Sequence, residues 1–216
     1  MSKIVHSFYF FIVVAFSTQS FSQASAENFD AKNNSFVPAA IASAHPLATQ
    51  AGISILKQGG NAFDAAIAVT ATLAVVEPYS SGIGGGGFYL LHQSKNNHYV
   101  MIDARERAPL GAHKDLFLDD AGNVKPGASI NGALSAGIPG IPAAIVHLAE
   151  KYGKLKLSQS LADAIYHARQ GFPVDEYYQR MVSFRLNVLQ KNKAASEIFL
   201  QQGDVPELNF KIIQIL

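Results

Sequence analysis

The chain has 216 residues, of which 49% are apolar and 15% charged, and 17 Lys plus Arg against 16 Asp plus Glu leave a formal net charge of +1. This length and apolar content suffice for one hydrophobic core, and a near-neutral chain without a block of Lys or Arg has little to offer a phosphate backbone, so we expect no nucleic-acid partner. The sequence contains no Cys, which excludes disulfides, thiolate nucleophiles and cysteine-ligated metal centres.

Residues 1–26 have the order of a secretory signal peptide. Lys3 precedes an apolar run over residues 8–16, and residues 24–26 read Ala-Ser-Ala, an A-x-A cleavage site. The alternative is a membrane anchor, but this run covers only about 14 Å at ~1.5 Å per residue, whereas a bilayer core needs about 30 Å. We therefore expect a cleaved signal, a periplasmic or secreted protein, and no membrane segment in the mature chain.

A polar stretch and a first helix follow the signal. Residues 27–36 are rich in Asn, Asp and Ser and are predicted as a flexible lead-in, so we place the start of the fold at Val37. Apolar residues in 47–58 recur with helical spacing, and Gly59-Gly60 is a typical helix end.

The second predicted helix covers residues 62–76. Asn61 can cap its first turn, Asp64 at its third position suits the helix dipole, and Pro78 prevents its continuation. The helix is apolar on nearly all sides, which is typical of a buried helix. We expect it to be sandwiched, with its alanines allowing close approach to a sheet.

Residues 79–87 are predicted as a glycine-rich loop. Gly82, Gly84 and Gly87 have the spacing of a dinucleotide-binding fingerprint, and Glu106 lies near the position of a ribose-binding acid. That fingerprint requires a strand before the glycines and a helix after them, whereas here a helix precedes and a strand follows. Nucleotide binding is therefore disfavoured. A flexible loop and a loop whose bare backbone approaches a substrate or another segment both stay open.

The next segments predict a β-hairpin, a long connection and more helices. Two short strand-like runs, 88–93 and 99–104, flank a turn composition, and Arg105 lies at the end of the second strand. Residues 106–137 are rich in Gly, Pro, Asp and Asn and predict an irregular connection. Helical spacing returns in three segments, the last of them a long polar surface helix: 141–152, 157–170 and 176–202.

The residue types give few candidates for chemistry. The seven His residues show no metal-ligand spacing, so we predict no metal site, and the glycines around Ser135 have the wrong spacing for a serine nucleophile elbow. What remains is the segment 103–109, where a strand ends in alternating charges beside the glycine loop. It fits a solvated strand end, or an Arg105 that receives a carboxylate through two parallel donors. Composition does not decide between these two interpretations.

Several motifs, in this order, resemble the γ-glutamyltranspeptidase family: AHPLAT at 44–49, GGNAFDAA at 59–66, GIGGGGF at 82–88 and DARERAP at 103–109. IPG at 138–140, KYGK at 151–154 and GFPV at 171–174 extend the resemblance, so we define 37–203 as a fragment of the large subunit of that family's domain.

The resemblance implies an α+β chain with part of an N-terminal-nucleophile hydrolase fold, in which two stacked sheets lie between helical layers (αββα). The fold would be incomplete without the small subunit that self-cleavage releases. The implied reaction takes a γ-glutamyl donor such as glutathione, whose amide is attacked by an N-terminal Thr hydroxyl with its own amine as base, and passes the acyl group to water or an amino acid. The resemblance implies no cofactor.

In the family pattern, Arg105 falls on the arginine that holds the α-carboxylate of the substrate. Glu106, Asp103 and the glycine loop then support the site and do not catalyse. Family members are more than twice as long, and their nucleophile Thr and oxyanion donors lie in the part that would follow. Thr49, Thr70 and Thr72 match no nucleophile motif. We therefore expect no catalytic residue in this chain and no activity from it alone.

The pattern blurs after Gly203, so residues 204–216 are predicted as a divergent, truncated tail that reflects a premature stop, a shifted frame or a partial sequence.

Two other functions stay open. One is a related N-terminal-nucleophile acylase that acts on β-lactam side chains or poly-γ-glutamate, which the large-subunit motifs separate poorly. The other is a non-catalytic secreted module that binds glutamate through the arginine pocket.

Overall fold

The computed structural model describes residues 39–214. The predicted signal peptide (1–26), the lead-in (27–36) and the start of the fold at Val37 lie outside the described residues. Within them, a short 3₁₀ turn occupies Ala133–Ser135. The other elements are α1 (Pro46–Lys57), α2 (Ala62–Val76), β1 (Phe88–Gln93), β2 (His98–Asp103), α3 (Ile141–Lys151), α4 (Leu157–Ser160), α5 (Ala162–Gln170), β3 (Phe172–Pro173), α6 (Glu176–Leu189), α7 (Lys193–Phe199) and β4 (Lys211–Ile212).

The first two helices begin at side-chain caps. The Nδ1 atom of His45 accepts a hydrogen bond from the backbone N–H of Leu47 at 3.1 Å, which starts α1. Asn61 Oδ1 accepts from the N–H of Asp64 at 3.0 Å, and Asp64 Oδ2 accepts in return from the N–H of Asn61 at 2.9 Å. This reciprocal pair is a capping box. The predicted bounds of both helices are confirmed to within a residue.

Helix α2 contributes a buried residue to each of the three hydrophobic clusters of the described residues. Val76 packs in a cluster with Phe172, and Ile67 in another with Leu91 of the hairpin, while Ala68 lies in a third with α1. The predicted burial of α2 is confirmed. The predicted approach of its alanines to a sheet is wrong, because the small side chains face the neighbouring helix α1, and small residues let two helices approach closely.

Strands β1 and β2 form an antiparallel hairpin in which Phe88 lies opposite Asp103 and Leu90 opposite Met101. The second strand begins and ends one residue earlier than predicted. Alternate residues face opposite sides of a strand. One side packs with Leu91 onto α3 and α2, and the other leaves four apolar side chains about 60–70% exposed: Phe88, Leu90, Tyr99 and Met101.

Two of the later helix predictions need correction. The segment 157–170 is interrupted at Leu161, although backbone hydrogen bonds from Leu161 N to Leu157 O and from Ile165 N to Leu161 O run through the interruption. The long helix over 176–202 is wrong, since α6 ends at Leu189 and a separate α7 begins after Asn192. The side chain of Asn192 accepts from the N–H of Ala195 at 3.0 Å. An Asn that caps a new helix terminates the preceding one.

A short pair of strands, β3 and β4, connects positions far apart in the sequence. Phe172 pairs with Ile212, and both side chains are fully buried beside Val76. Gln214 Nε2 donates to the backbone carbonyl of Val75 at 2.8 Å. The described part of the segment 204–216 is therefore folded against α2.

The described residues combine helices with two small antiparallel sheets, as the predicted α+β class requires. Between residues 39 and 214, no helix has the length and apolar character needed to cross a membrane.

Candidate functional site

The candidate site is built where the hairpin ends beside the glycine loop. Gly87 and Ala104 continue the ladder beyond β1 and β2, because each donates its N–H to the carbonyl of the other, at 3.1 and 3.0 Å. Arg105 is thus the first residue after a hydrogen-bonded strand end. The predicted order of helix, glycine loop and strand is confirmed, with α2 ending at Val76 and β1 beginning at Phe88.

The glycine loop also contacts the start of α3. The Gly85 carbonyl accepts from the N–H of Gly140 at 3.1 Å and from that of Ile141 at 3.2 Å. A Cβ atom on Gly140 would lie 2.7 Å from the carbonyl oxygen of Arg105, so only glycine allows this approach without displacement. The sequence left two interpretations of the loop open. The structure shows that the loop backbone approaches another segment of the chain.

Arg105 presents its guanidinium on the surface, with 63% of the side chain exposed. Its Nε lies 3.2 Å from Glu106 Oε2, and its Cζ lies 6.0 Å from the centroid of the Phe88 ring. The backbone N–H of Arg105 donates to Asp103 Oδ1 at 2.9 Å. Asp103 therefore contacts the backbone of Arg105, and Glu106 contacts its side chain.

Two glycines, Gly86 and Gly137, leave room for the side chain of Glu106. A Cβ on Gly86 would lie 2.6 Å from Glu106 Oε2, and one on Gly137 would lie 2.9 Å from Glu106 Cβ. Since real Cβ atoms do not approach so closely, these two glycines make the space in which the carboxylate reaches Arg105. Sequence reasoning missed this packing, because the contacts join residues of three separate segments.

Two cavities lie near this segment. One, of about 380 Å³, is lined by Glu106, the glycine loop and the serines Ser80 and Ser81. The other, of about 390 Å³, is lined by Arg105, Arg107 and the exposed His147 of α3. Sequence reasoning gave no functional role to Arg107 or His147. The alternation of charges in 103–109 was the available signal for Arg107, since alternate residues of an extended chain share a side.

Burial shifts the pKa values of two side chains away from Arg105. Burial lowers the pKa of His45, and the nearby Asp175 and Glu77 oppose this shift. Burial also raises the pKa of Tyr89, whose hydroxyl donates to Thr70 Oγ1 at 3.4 Å. In the part of the chain that the structure describes, no group of three or more His, Asp or Glu side chains is placed to hold a metal ion.

The threonines considered as nucleophiles lie inside helices. Thr70 and Thr72 are in α2, and Thr72 is fully buried with no hydrogen-bond partner for its hydroxyl. Thr49 is in α1 and shares a hydrogen bond with Ser43 at 2.8 Å. None of the three lines the cavity of Arg105, and Thr70 lines the other cavity together with Glu106. The arrangement can bind a planar anion, and these three threonines offer it no activated hydroxyl.

Residues 48–214 match the protein-family model described as Gamma-glutamyltranspeptidase. The chain is 39% identical over 165 residues to the glutathione hydrolase proenzyme of Bacillus subtilis (strain 168), and 41% identical over 165 residues to that of Escherichia coli (strain K12). Each alignment covers 76% of this chain and 28% of the relative. The chain thus spans less than a third of the length of these relatives.

Among solved structures, that of Helicobacter pylori gamma-glutamyltranspeptidase is similar with a TM-score of 0.79 and 38% sequence identity. The similarity covers 84% of this chain and 52% of that one.

Proposed function

The chain belongs to the gamma-glutamyltranspeptidase family, and from this membership we propose that it carries the carboxylate-binding part of an enzyme acting on γ-glutamyl compounds such as glutathione. The enzyme would be a γ-glutamyltransferase or glutathione hydrolase of the N-terminal-nucleophile class. Its second half, the small subunit, would supply the nucleophile. The relatives named as glutathione hydrolases support this substrate class.

The observation that carries the proposal is the placement of Arg105. Its Nε lies 3.2 Å from Glu106 Oε2, its Cζ lies 6.0 Å from the Phe88 ring centroid, and 63% of the side chain is exposed. The two terminal nitrogens can then serve as a fork of parallel donors. A carboxylate fits this fork with two hydrogen bonds, whereas a Lys ammonium would offer a point charge. The α-carboxylate of a γ-glutamyl group is the group that we assign to it.

In the proposed reaction, the hydroxyl of an N-terminal Thr in the small subunit attacks the γ-carbonyl carbon of the donor. The amine of the same Thr takes the hydroxyl proton and returns it to the leaving amine, so that an ester of the γ-glutamyl group forms. Water or the amine of an amino acid then displaces the Thr. Arg105 would hold the donor so that its γ-carbonyl faces the hydroxyl.

The chain alone is proposed to be inactive. Peptide-bond cleavage before a Thr is needed to release the amine that acts as base. Thr49, Thr70 and Thr72 lie within α1 and α2, where cleavage would break a buried helix. Thr18 lies in the proposed signal peptide, outside the described residues. The full chain should neither cleave itself nor release a chromophore from a γ-glutamyl anilide above a heat-treated control.

Export is part of the same proposal. It rests on Lys3, the apolar run 8–16 and the Ala-Ser-Ala at 24–26. The mature protein would then begin at Glu27 in the periplasm or outside the cell. Intact-mass measurement of the extracytoplasmic fraction tests this, and a product that still carries Met1 would contradict it.

The carboxylate site is tested by titrating the full chain with γ-glutamylglycinamide, whose only carboxylate is the α-carboxylate. Arg105→Lys should weaken binding about tenfold, because the parallel pair of donors is lost and ~1.4 kcal/mol corresponds to tenfold. The matched control is Arg169→Lys, on the exposed side of α5, which should bind as the unsubstituted chain does. Equal affinity of both variants would remove Arg105 from the site.

A further inference from the structure

The cleft of about 390 Å³ beside Arg105 contains a second arginine that the proposed function does not use. Arg107 lines this cleft together with Arg105, and His147 of α3 lines it from another element. Glu106, between the two arginines, lines the other cavity instead. This division is what an extended backbone produces, because its side chains alternate between two sides.

The backbone at Arg107 is fixed by an isolated antiparallel bridge. Arg107 N donates to Ile138 O at 3.1 Å, and Ile138 N donates to Arg107 O at 2.8 Å. In an extended chain, residues two apart are separated by about 6.6 Å. Two long arginine side chains that start two residues apart can hold two anionic groups of one ligand at the same time.

The charges of the cleft favour an anion. Arg105 is paired with Glu106, whereas the Arg107 side chain makes no ion pair with any residue between 39 and 214. The carboxylate in the lining is Asp103, and its Oδ1 already accepts from the N–H of Arg105. The exposed guanidinium of Arg107 therefore has its full set of donors for a ligand.

We propose that this cleft is a second anion subsite, in which Arg107 binds a carboxylate on the leaving group of a γ-glutamyl compound. The inference rests on the proposed function, since Arg105 must hold the α-carboxylate of the same molecule. His147 lines the same cleft from α3 and offers a ring nitrogen to the second carboxylate. Donors whose leaving group ends in a carboxylate are then preferred to donors whose leaving group is neutral.

The two arginines suit a ligand with two separate carboxylates better than a single phosphate ion. A phosphate needs donors that converge on one centre, whereas the guanidinium of Arg105 is held towards Glu106 and Phe88. A γ-glutamyl-amino acid carries one carboxylate on its glutamyl α-carbon and another at its far end. This arrangement matches two guanidiniums on alternate residues of the segment after β2.

The test is a titration of the full chain with γ-glutamylglycine and with γ-glutamylglycinamide, which differ only in the second carboxylate. In the unsubstituted chain we expect γ-glutamylglycine to bind about fivefold more tightly, the size of an exposed ion pair. Arg107→Gln should abolish this preference and leave the affinity for the glycinamide unchanged. Its backbone bridge to Ile138 does not use the side chain, so the fold is retained. Arg169→Gln, outside the cleft, is the matched control and should keep the preference.

A preference that declines as sodium chloride is raised, and that disappears only in Arg107→Gln, supports the subsite. Equal binding of the two ligands to the unsubstituted chain overturns it. So does a preference that persists in Arg107→Gln; if Arg105→Lys still weakens both ligands in that case, the proposed function stands without the subsite. If Arg105→Lys weakens neither ligand, the proposed function fails and the subsite fails with it.

Discussion

His45 caps α1 through a nitrogen that must be unprotonated. Its Nδ1 accepts the N–H of Leu47 at 3.1 Å, and protonation would replace this acceptor with a donor. Burial lowers the pKa of His45 below its ordinary 6.5, while Asp175 and Glu77 act in the opposite direction. Because the folded-state pKa is the lower one, the unfolded chain binds the proton more strongly.

This difference predicts a pH dependence of stability. The contribution of His45 is fully present above pH 6.5 and is lost as the pH falls from that value through the lower folded-state pKa. His45→Asn keeps a cap that does not titrate in this range, so its free energy of unfolding should fall less than that of the unsubstituted chain between neutral and mildly acidic pH. Urea denaturation at both pH values measures this. The exposed His113→Asn is the control and should follow the unsubstituted chain; equal slopes for His45→Asn would contradict the cap.

Sequence reasoning predicted single residues where a local rule applies. Asn61 and Asp64 were recognised because caps lie within one turn of the residues they bind. The resemblance implied the role of Arg105, but the partnership of its Nε with Glu106 depends on the space left by Gly86 and Gly137. That space belongs to the tertiary fold, and a local pattern does not contain it. That His147 lines the same cleft as Arg107 is likewise a property of the tertiary fold, because His147 belongs to a different element.

At the scale of elements, Gly140 holds α3 against the strand end. Its φ of −96° suits alanine as well as glycine, so the requirement is one of space. A Cβ would lie 2.6 Å from the carbonyl carbon of Ala104 and 2.7 Å from the carbonyl oxygen of Arg105. Any side chain here must push α3 and the strand end apart.

Gly140→Ala should therefore destabilise the chain by about 1–3 kcal/mol, the usual cost of overpacking, and weaken binding of γ-glutamylglycinamide. Gly111→Ala is a matched control, since a Cβ there meets nothing within 4 Å. Denaturant unfolding and the ligand titration are measured on both variants. If Gly140→Ala has the same free energy of unfolding and the same ligand affinity as Gly111→Ala, then close packing at Gly140 does not maintain the site.

The elements that sequence reasoning placed well are those with clear ends. Gly59-Gly60, Pro78 and Gly171 mark chain turns, and the helix ends beside them were placed to within about a residue. The break between α6 and α7 was missed because no Gly or Pro marks it, and Asn192 caps α7 within an otherwise helix-compatible sequence. The pairing of β3 with β4 was missed because each strand has two residues and the partners are far apart in sequence.

At the scale of the whole molecule, the outward face of the hairpin is apolar and exposed. Leu90 and Met101 lie directly opposite each other and are 69% and 61% exposed. The relatives are more than three times as long as the matched region, and we expect the polypeptide of the small subunit to cover this face. An uncovered apolar face favours self-association and binding of hydrophobic dyes.

Leu90→Lys combined with Met101→Glu should reduce dye fluorescence and self-association of the isolated chain. The two new side chains form an opposite-charge pair across the strands, so stability should change by less than about 1 kcal/mol. Leu110→Lys replaces a fully exposed apolar residue outside the hairpin and serves as the control. Analytical ultracentrifugation measures self-association, and a dye titration measures dye binding. If only the control variant lowers self-association, the chain does not self-associate through the hairpin face.

Side-chain NMR observes, at the arginine itself, whether Arg105 binds the α-carboxylate of a γ-glutamyl group. The Nε–H signal of Arg105 is assigned by its loss in Arg105→Lys, and the full chain is titrated with γ-glutamylglycinamide. We predict that this signal shifts in a saturable manner, and that it stays in place with 4-aminobutyrylglycinamide, which lacks the α-carboxylate. An Arg105 signal that stays in place with the first ligand, or shifts equally with both, would contradict the account.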